Sequence, residues 1–177
     1  MINVLAAADA PWPVRASTSS NPERFWRYVY PLDKEIYPHE ERAFFSLACN
    51  HCENPACLAA CPVEAYTKRD DGVVVHNPER CIGCKNCIRN CPYGAPRFNE
   101  ETQKAEKCSM CYERLDIGLN PACVNACPVG ALTLIDLDAD PLPNNAVQYP
   151  PGFPKMPQLN PGTRFILARQ PKQPGDK

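Results

Sequence analysis

The pattern of hydrophobic and polar positions predicts short β-strands in the middle of the chain instead of long helices. Residues 66–75 hold two runs of strand-forming residues around Asp71-Gly72, a pair that strongly favours a β-hairpin turn. A second hairpin with a longer loop is predicted for 97–104, and residues 132–137 alternate as a short strand.

Two short helical turns complete the elements predicted for this region. They start after Pro55 and near Lys85, and each would carry the last two cysteines of a repeated unit. The predicted fold class is therefore α+β, built from cysteine-rich loops, short helices and two-stranded ribbons.

The two ends of the chain lack this periodicity. Residues 25–45 alternate aromatic and charged side chains around Pro31 and Pro38, which predicts extended or irregular chain that wraps the middle. From residue 141 onward, nine prolines in 37 residues exclude a helix or a central strand. This tail is nevertheless too apolar for a solvated spacer, so we expect it to dock along a partner or along its own domain.

Composition narrows the possible classes of protein. The 177 residues include 12 cysteines and carry a formal charge of −1, so nothing indicates binding to nucleic acid. No apolar run reaches the ~20 residues that span a bilayer. The N-terminus has no basic residue before Arg15 and is interrupted by Asp9, which makes it a poor signal peptide. We expect a reducing compartment, where cysteine clusters bind metal more often than they form disulfides.

All 12 cysteines lie between residues 49 and 127 and form a threefold repeat. Each unit ends in Cys-Pro, followed shortly by an alanine. Unit one holds Cys49, Cys52, Cys57 and Cys61, unit two holds Cys81, Cys84, Cys87 and Cys91, and unit three holds Cys108, Cys111, Cys123 and Cys127.

Unit two matches the bacterial iron–sulfur pattern C-x2-C-x2-C-x3-C-P. Three closely spaced thiolates on one loop reach three irons of a [4Fe–4S] cluster, and the fourth thiolate reaches a neighbouring cluster. Applied to units one and two, this crossed-ligand rule predicts two clusters. Cluster 1 would take Cys49, Cys52, Cys57 and Cys91, and cluster 2 would take Cys61, Cys81, Cys84 and Cys87.

Unit three is less regular. Its four cysteines would form cluster 3, although by the crossed-ligand rule Cys127 should serve a fourth unit that the sequence lacks. Zinc held by four thiolates is the competing interpretation, and unit three alone could pass as a zinc ribbon. The close spacing in unit two does not suit zinc, so three [4Fe–4S] clusters are favoured over a zinc-stabilised interaction protein. His51 lies between two predicted ligands and is expected to be a hydrogen-bonding neighbour, because unit one lacks no cysteine.

The sequence contains no recognisable catalytic apparatus. It has no G-x-G-x-x-G, no Walker loop, no nucleophile elbow and no carboxylate pair at a familiar spacing. We therefore name no catalytic residue and expect a chain that is not an enzyme by itself, with one-electron transfer as its chemistry.

The cysteine motifs resemble those of the iron–sulfur electron-transfer subunit of dimethyl sulfoxide reductase-type molybdoenzymes. The similar region covers about 45–137, and 156–165 is similar to the C-terminal arm of such subunits. The resemblance implies two bacterial-ferredoxin-like halves next to a large molybdopterin catalytic subunit, usually with a membrane anchor subunit that exchanges electrons with quinone. It rests on Cys49-Asn-His-Cys-Glu-Asn-Pro-Ala-Cys57, Cys81-Ile-Gly-Cys-Lys-Asn-Cys87, Cys91-Pro-Tyr-Gly-Ala-Pro96 and Lys107-Cys-Ser-Met-Cys111.

The chain departs from this family pattern near its N-terminus. Such subunits usually carry a fourth cysteine unit, whereas this sequence has Val4, Ala7, Ala10 and Val14 at the same spacing. One ferredoxin-like half is therefore expected to be degenerate, without a fourth cluster.

Three regions are expected: an aromatic wrapping segment over 1–48, a 4Fe–4S ferredoxin-type domain over 49–137, and a proline-rich docking arm over 138–177. The resemblance implies a relay of single electrons between a molybdopterin subunit and a membrane, quinone or soluble redox partner. A free polyferredoxin and a carrier of a hydrogenase or formate complex are the alternatives.

With no signal of its own, the chain is expected in the cytoplasm or at the cytoplasmic membrane, or at the periplasmic face if co-exported with a partner.

Overall fold

The computed structural model describes the backbone of residues 2–3 and all of residues 25–31, 35–36 and 44–167. Within these ranges the elements are short, and no helix has the length and hydrophobicity that a membrane crossing needs. The strands are β1 (Ile2–Asn3), β2 (Tyr28–Pro31), β3 (Phe44–Leu47), β4 (Tyr66–Lys68), β5 (Val74–His76), β6 (Arg97–Asn99), β7 (Lys104–Glu106), β8 (Leu132–Thr133), β9 (Ala146–Val147) and β10 (Phe165–Ile166). The helices are α1 (Ala56–Ala59), α2 (Asn86–Asn90), α3 (Tyr112–Leu115) and α4 (Ala122–Asn125), and Pro157–Leu159 forms a 3-10 turn.

Both predicted hairpins are present. β4 pairs with β5 in antiparallel register, with Tyr66 opposite His76, and β6 pairs with β7. The first hairpin turns at Gly72, whose φ of +80° is a conformation that residues with a Cβ rarely adopt. The Gly72 N–H donates to the Arg69 carbonyl at 3.0 Å, which closes the turn. The described sheets are all two-stranded, so the α+β class with short helices and ribbons is confirmed.

The two predicted helical turns are also present. Helix α1 follows Pro55, which has extended backbone, and α2 follows Lys85, whose φ of +62° turns the chain sharply before the helix. The predicted strand over 132–137 is shorter than expected, because β8 covers only Leu132–Thr133. It pairs with β1, which is itself two residues long, so the pairing stops although the alternation continues.

The N-terminal aromatic segment is more regular than its sequence predicts. Strands β2 and β3 form an antiparallel ribbon in which Tyr28 lies opposite Leu47 and Pro31 lies opposite Phe44. Proline is tolerated here because a two-stranded ribbon has an outer edge that needs no N–H donor. The positions that replace the fourth cysteine unit lie outside the described residues, as does Pro38; they are Val4, Ala7, Ala10 and Val14.

The described part of the proline-rich tail docks along the chain's own domain. The Glu53 N–H donates to the Asn160 carbonyl at 2.9 Å, which ties the tail to unit one. Phe165 in β10 is only 1% exposed, and its ring meets that of Phe45 edge to face at 5.8 Å between centroids. Burial of aromatic area, instead of regular secondary structure, holds this segment in place.

The buried core of the middle region is small and includes cysteine. Tyr66, Val74 and Ala105 from the two hairpins pack against Cys57 of α1 and Cys87 of α2. Thiols therefore occupy positions that aliphatic side chains fill in an ordinary domain. The core and the predicted cluster ligands are consequently the same part of the molecule.

Gly83→Ala is expected to destabilise the protein by about 2–5 kcal/mol, because the new methyl group has no room. A Cβ on Gly83 would lie 2.3 Å from the backbone carbonyl oxygen of Gln103, and its φ is +71°. Gly72→Ala is the matched control: its φ is +80°, and nothing lies within 4 Å of the added Cβ. The thermal midpoints of the two anaerobically purified variants would test this, and equal losses would contradict the steric argument.

Candidate iron–sulfur site

Four thiols from two repeat units line a single cavity, which we call the cluster-1 cavity. Cys49 and Cys52 precede α1, Cys57 lies within it, and Cys91 directly follows the C-terminal end of α2. Because α1 packs against α2, the last cysteine of unit two meets the first three of unit one. These are the four residues that the spacing predicts for cluster 1.

Burial and mutual repulsion oppose ionisation of these thiols. Burial, with the charges of Cys49 and Cys91, raises the pKa of Cys52 to about 12. Burial and the charge of Cys49 also raise the pKa of Cys57 to about 12, although the nearby Lys107 opposes this rise. Four thiolates in this cavity therefore require a positively charged, sulfur-binding group among them. Iron–sulfur clusters are held by such sets, so the donor set fits one [4Fe–4S] cluster.

Cys49, Cys52, Cys57 and Cys91 line the same cavity, so four thiols from two repeat units border a common space. A cubane, in which each iron takes one thiolate, matches that arrangement.

The Cys-Pro end of the repeat has the same hydrogen bond in units one and three. The Ala65 N–H donates to Cys61 Sγ at 3.2 Å in unit one, and the Ala131 N–H donates to Cys127 Sγ at 3.1 Å in unit three. In unit two, burial raises the pKa of Cys91, and the backbone N–H groups that follow it oppose this rise. The repeated sequence therefore has a repeated local structure, in which backbone N–H groups after the last cysteine offset negative charge on its sulfur.

The residues predicted for cluster 2 lie in and around the core. Cys87 is part of the buried core, and Cys61 and Cys81 pack against that core. Burial raises the pKa of Cys87, the neighbouring Tyr66 hydroxyl lowers it, and the charges of Cys81 and Cys84 raise it again. All four predicted ligands are thus close to this region, with Tyr66 next to them.

Unit three is linked electrostatically to unit one. Burial and the charge of Cys49 raise the pKa of Cys108 to about 11. Cys111 precedes α3 and Cys123 lies in α4. That these three residues and Cys127 hold one cluster stays a prediction.

His51 is a hydrogen-bonding neighbour of the cavity, as its position in unit one suggests. It is buried, and its Nδ1 accepts a hydrogen bond from the Val74 N–H at 2.9 Å. Burial lowers the pKa of His51 well below its ordinary value, and the charges of Lys107 and Lys68 lower it further. The imidazole is therefore held neutral and positions β5 against the cavity.

The sequence analysis gave Tyr66 no role in the site, and it did not distinguish Lys107 from the other basic residues among the predicted ligands. Tyr66 is 5% exposed near Cys87, and Lys107 is 4% exposed in the wall of the cluster-1 cavity. The only signal for Lys107 is its position directly before Cys108, which does not distinguish a buried lysine from a solvated one. Burial of these polar side chains depends on how the hairpins pack, which local spacing does not report.

Residues 41–137, more than half of the chain, match the family described as the 4Fe-4S dicluster domain. This protein belongs to that family. The interpretation of the cysteine block as an iron–sulfur domain, made from its spacing, is thereby confirmed, whereas the number of clusters and their individual ligands stay predictions.

Curated proteins similar to this 4Fe-4S dicluster protein are subunits of oxidoreductases. It is 51% identical over 108 residues to a subunit of the tetrathionate reductase of Salmonella typhimurium, covering 61% of this chain and 43% of the relative. It is 47% identical over 125 residues to one chain of the anaerobic dimethyl sulfoxide reductase of Escherichia coli, covering 66% and 61%. The beta subunit of the dimethylsulfide dehydrogenase of Rhodovulum sulfidophilum is 38% identical over 146 residues, covering 79% and 45%. The matched region thus spans only 43% to 61% of these relatives.

Proposed function

We propose that this chain is a non-catalytic electron-transfer subunit of an oxidoreductase complex. It would relay single electrons through [4Fe–4S] clusters between a molybdopterin-type catalytic subunit and a membrane, quinone or soluble redox partner. One observation carries the proposal: thiols from two different repeat units line one cavity, in a chain of the 4Fe-4S dicluster family. The crossed arrangement supports a multi-cluster relay, since it couples neighbouring cluster sites through a shared scaffold.

We further propose three clusters in a tandem ferredoxin-like arrangement, with one half degenerate. The cluster-1 cavity supports cluster 1 directly, and the packing of Cys61, Cys81 and Cys87 around the core supports cluster 2. The four cysteines of unit three support a third cluster, since twelve thiolates supply four to each of three cubanes. Electron tunnelling falls steeply with distance, so adjacent sites suit a relay.

The residues of the chain have separate roles in this mechanism. When bound, each [4Fe–4S] cluster supplies a one-electron couple. The cysteine thiolates hold the clusters, and the N–H groups of Ala65 and Ala131 point at sulfur and offset its negative charge. The docked tail covers unit one, where the Asn54 N–H donates to the Leu159 carbonyl at 3.1 Å, and so limits the access of water to cluster 1. Lower access of water and fixed donors both tune the reduction potential.

Relatives with similar cysteine blocks support the choice of partner. Their names describe subunits of tetrathionate reductase, dimethyl sulfoxide reductase and dimethylsulfide dehydrogenase. We infer that the partner of this chain is a catalytic subunit of the same broad kind, which supplies the pterin-bound metal that the chain itself does not contain. The redox partner at the other end of the relay, including a membrane anchor subunit, is part of the same proposal.

Anaerobic purification of the tagged chain from its native cells tests this function. We expect a large subunit to copurify in a fixed ratio, with about one molybdenum or tungsten per chain by elemental analysis. A tagged chain with Cys52→Ala, which should lose cluster 1 and some thermal stability, shows in addition whether the large subunit still binds when that cluster is missing. A brown, iron-containing monomer without molybdenum or tungsten would contradict the proposal and favour a free polyferredoxin.

A further inference from the structure

Lys107 lies in the wall of the cluster-1 cavity, at the start of unit three. It is a lysine with only 4% of its surface exposed, which is rare for this residue type. A buried ammonium group is costly unless hydrogen bonds and a negative charge compensate for its lost hydration.

Backbone carbonyl groups hold the Lys107 side chain in place. Its Nζ donates to the Val74 carbonyl in β5 and to the Cys108 carbonyl, the latter at 3.0 Å. The Val74 N–H on the other side of the same residue donates to His51 at 2.9 Å, so β5 is fixed from both sides. Among the described residues, no aspartate or glutamate forms an ion pair with Lys107. These contacts orient the ammonium group but do not neutralise it.

The field of this ammonium group reaches the thiols of the site. Its charge opposes the burial and repulsion that raise the pKa of Cys57, and it has the same effect at Cys108. A charge in a buried site is screened much less than one at the surface. Because Lys107 lies in the cavity wall, an anionic cluster with its four thiolates in the cavity would compensate this charge.

We propose that Lys107 is a fixed cation that raises the reduction potential of cluster 1, an inference that rests on the proposed function. One-electron reduction adds one negative charge to the cluster with its four thiolates and transfers no proton. A buried ammonium group nearby stabilises the reduced form more than the oxidised form, because the attraction grows with the added charge. Lys107 is thus a tuning residue, which neither binds iron nor touches a substrate.

Lys68 offers a matched comparison on the same side of the molecule. Its Nζ donates to the Cys52 carbonyl at 2.9 Å, so it also lies close to a predicted ligand of cluster 1. Unlike Lys107, it forms an ion pair with Glu53 at 2.9 Å, and its side chain is 19% exposed. Solvent and the carboxylate screen its charge, so its removal should change the potential less.

EPR-monitored redox titration of the anaerobically purified complex tests the proposal. Lys107→Gln keeps an N–H donor for Val74 but removes the charge. At the potential where cluster 1 of the wild type is half reduced, we expect the reduced-to-oxidised ratio to fall about tenfold, which is a shift of about 59 mV for one electron. Lys107→Arg should stay near the wild type, and Lys68→Gln should shift by less than half as much.

The possible outcomes separate this inference from the proposed function. An unchanged potential in Lys107→Gln, or an equal shift in Lys68→Gln, would overturn the tuning role while leaving the electron-transfer function intact. Loss of cluster 1 in Lys107→Gln but not in Lys107→Arg would assign the charge a role in cluster assembly instead of in tuning, and would overturn the proposal. Loss in both variants would assign Lys107 a packing role and overturn it. A wild type without iron would instead refute the proposed function.

Discussion

Cys91→Ala and Cys52→Ala are expected to remove the same cluster, although the two residues come from different repeat units. Both thiols line the cluster-1 cavity. Each variant should lose about four iron atoms per chain, because a [4Fe–4S] cluster depends on all four of its thiolates. The same EPR signal should disappear in both, and the thermal midpoint should fall, since cluster binding contributes to folding.

Cys87→Ala is the matched control for this experiment. Cys87 lies in α2, one helical turn before Cys91, but is predicted to bind cluster 2. It should remove the other signal and destabilise its neighbour, because Cys87 packs in the same buried core as Cys57. If Cys91→Ala behaved like Cys87→Ala and unlike Cys52→Ala, the crossed-ligand assignment would be wrong.

Iron analysis of the anaerobically purified wild type is expected to give roughly 12 iron atoms and as much acid-labile sulfide per chain, from three cubanes. Cys111→Ala should reduce both to about eight, because only unit three would be affected. The same analysis of Cys127→Ala shows whether the last cysteine of unit three is a ligand of cluster 3.

Several results would contradict the count of three. About eight iron atoms in the wild type, unchanged by Cys111→Ala, would mean that unit three holds no cluster. Zinc in place of iron would contradict the iron–sulfur interpretation of that unit. Unchanged iron in Cys127→Ala, with a loss in Cys111→Ala, would keep the count at three but exclude Cys127 as a ligand of cluster 3.

The local elements of the middle region were predictable from sequence because their signals are local. Asp71-Gly72 favours a turn between two strands that are adjacent in the sequence, and the predicted hairpin is present. The ends of the chain were predicted less well. The β2–β3 ribbon joins residues whose alternation of aromatic and charged side chains predicted irregular chain, and it pairs residues up to 19 positions apart, such as Tyr28 with Leu47.

In the candidate site, too, some features were predictable from the sequence and others were not. The spacing of the cysteines predicts which thiols share a cluster, and the four residues predicted for cluster 1 line one cavity. The polar side chains around them were not predictable. The residues next to Lys107 and Tyr66 in the sequence do not indicate that these two side chains are buried. Lys107 contacts Val74, which lies 33 positions away in the chain.

By itself, the sequence determined that this protein is an iron–sulfur protein of short elements, because ligand spacing and turn residues act over a few positions. The tertiary structure alone showed that the tail through residue 167 contacts its own domain, and that Lys107 is enclosed near the thiols. Both outcomes depend on contacts between residues far apart in the chain. Such contacts form where surfaces fit after folding, and no local pattern of residue types records them.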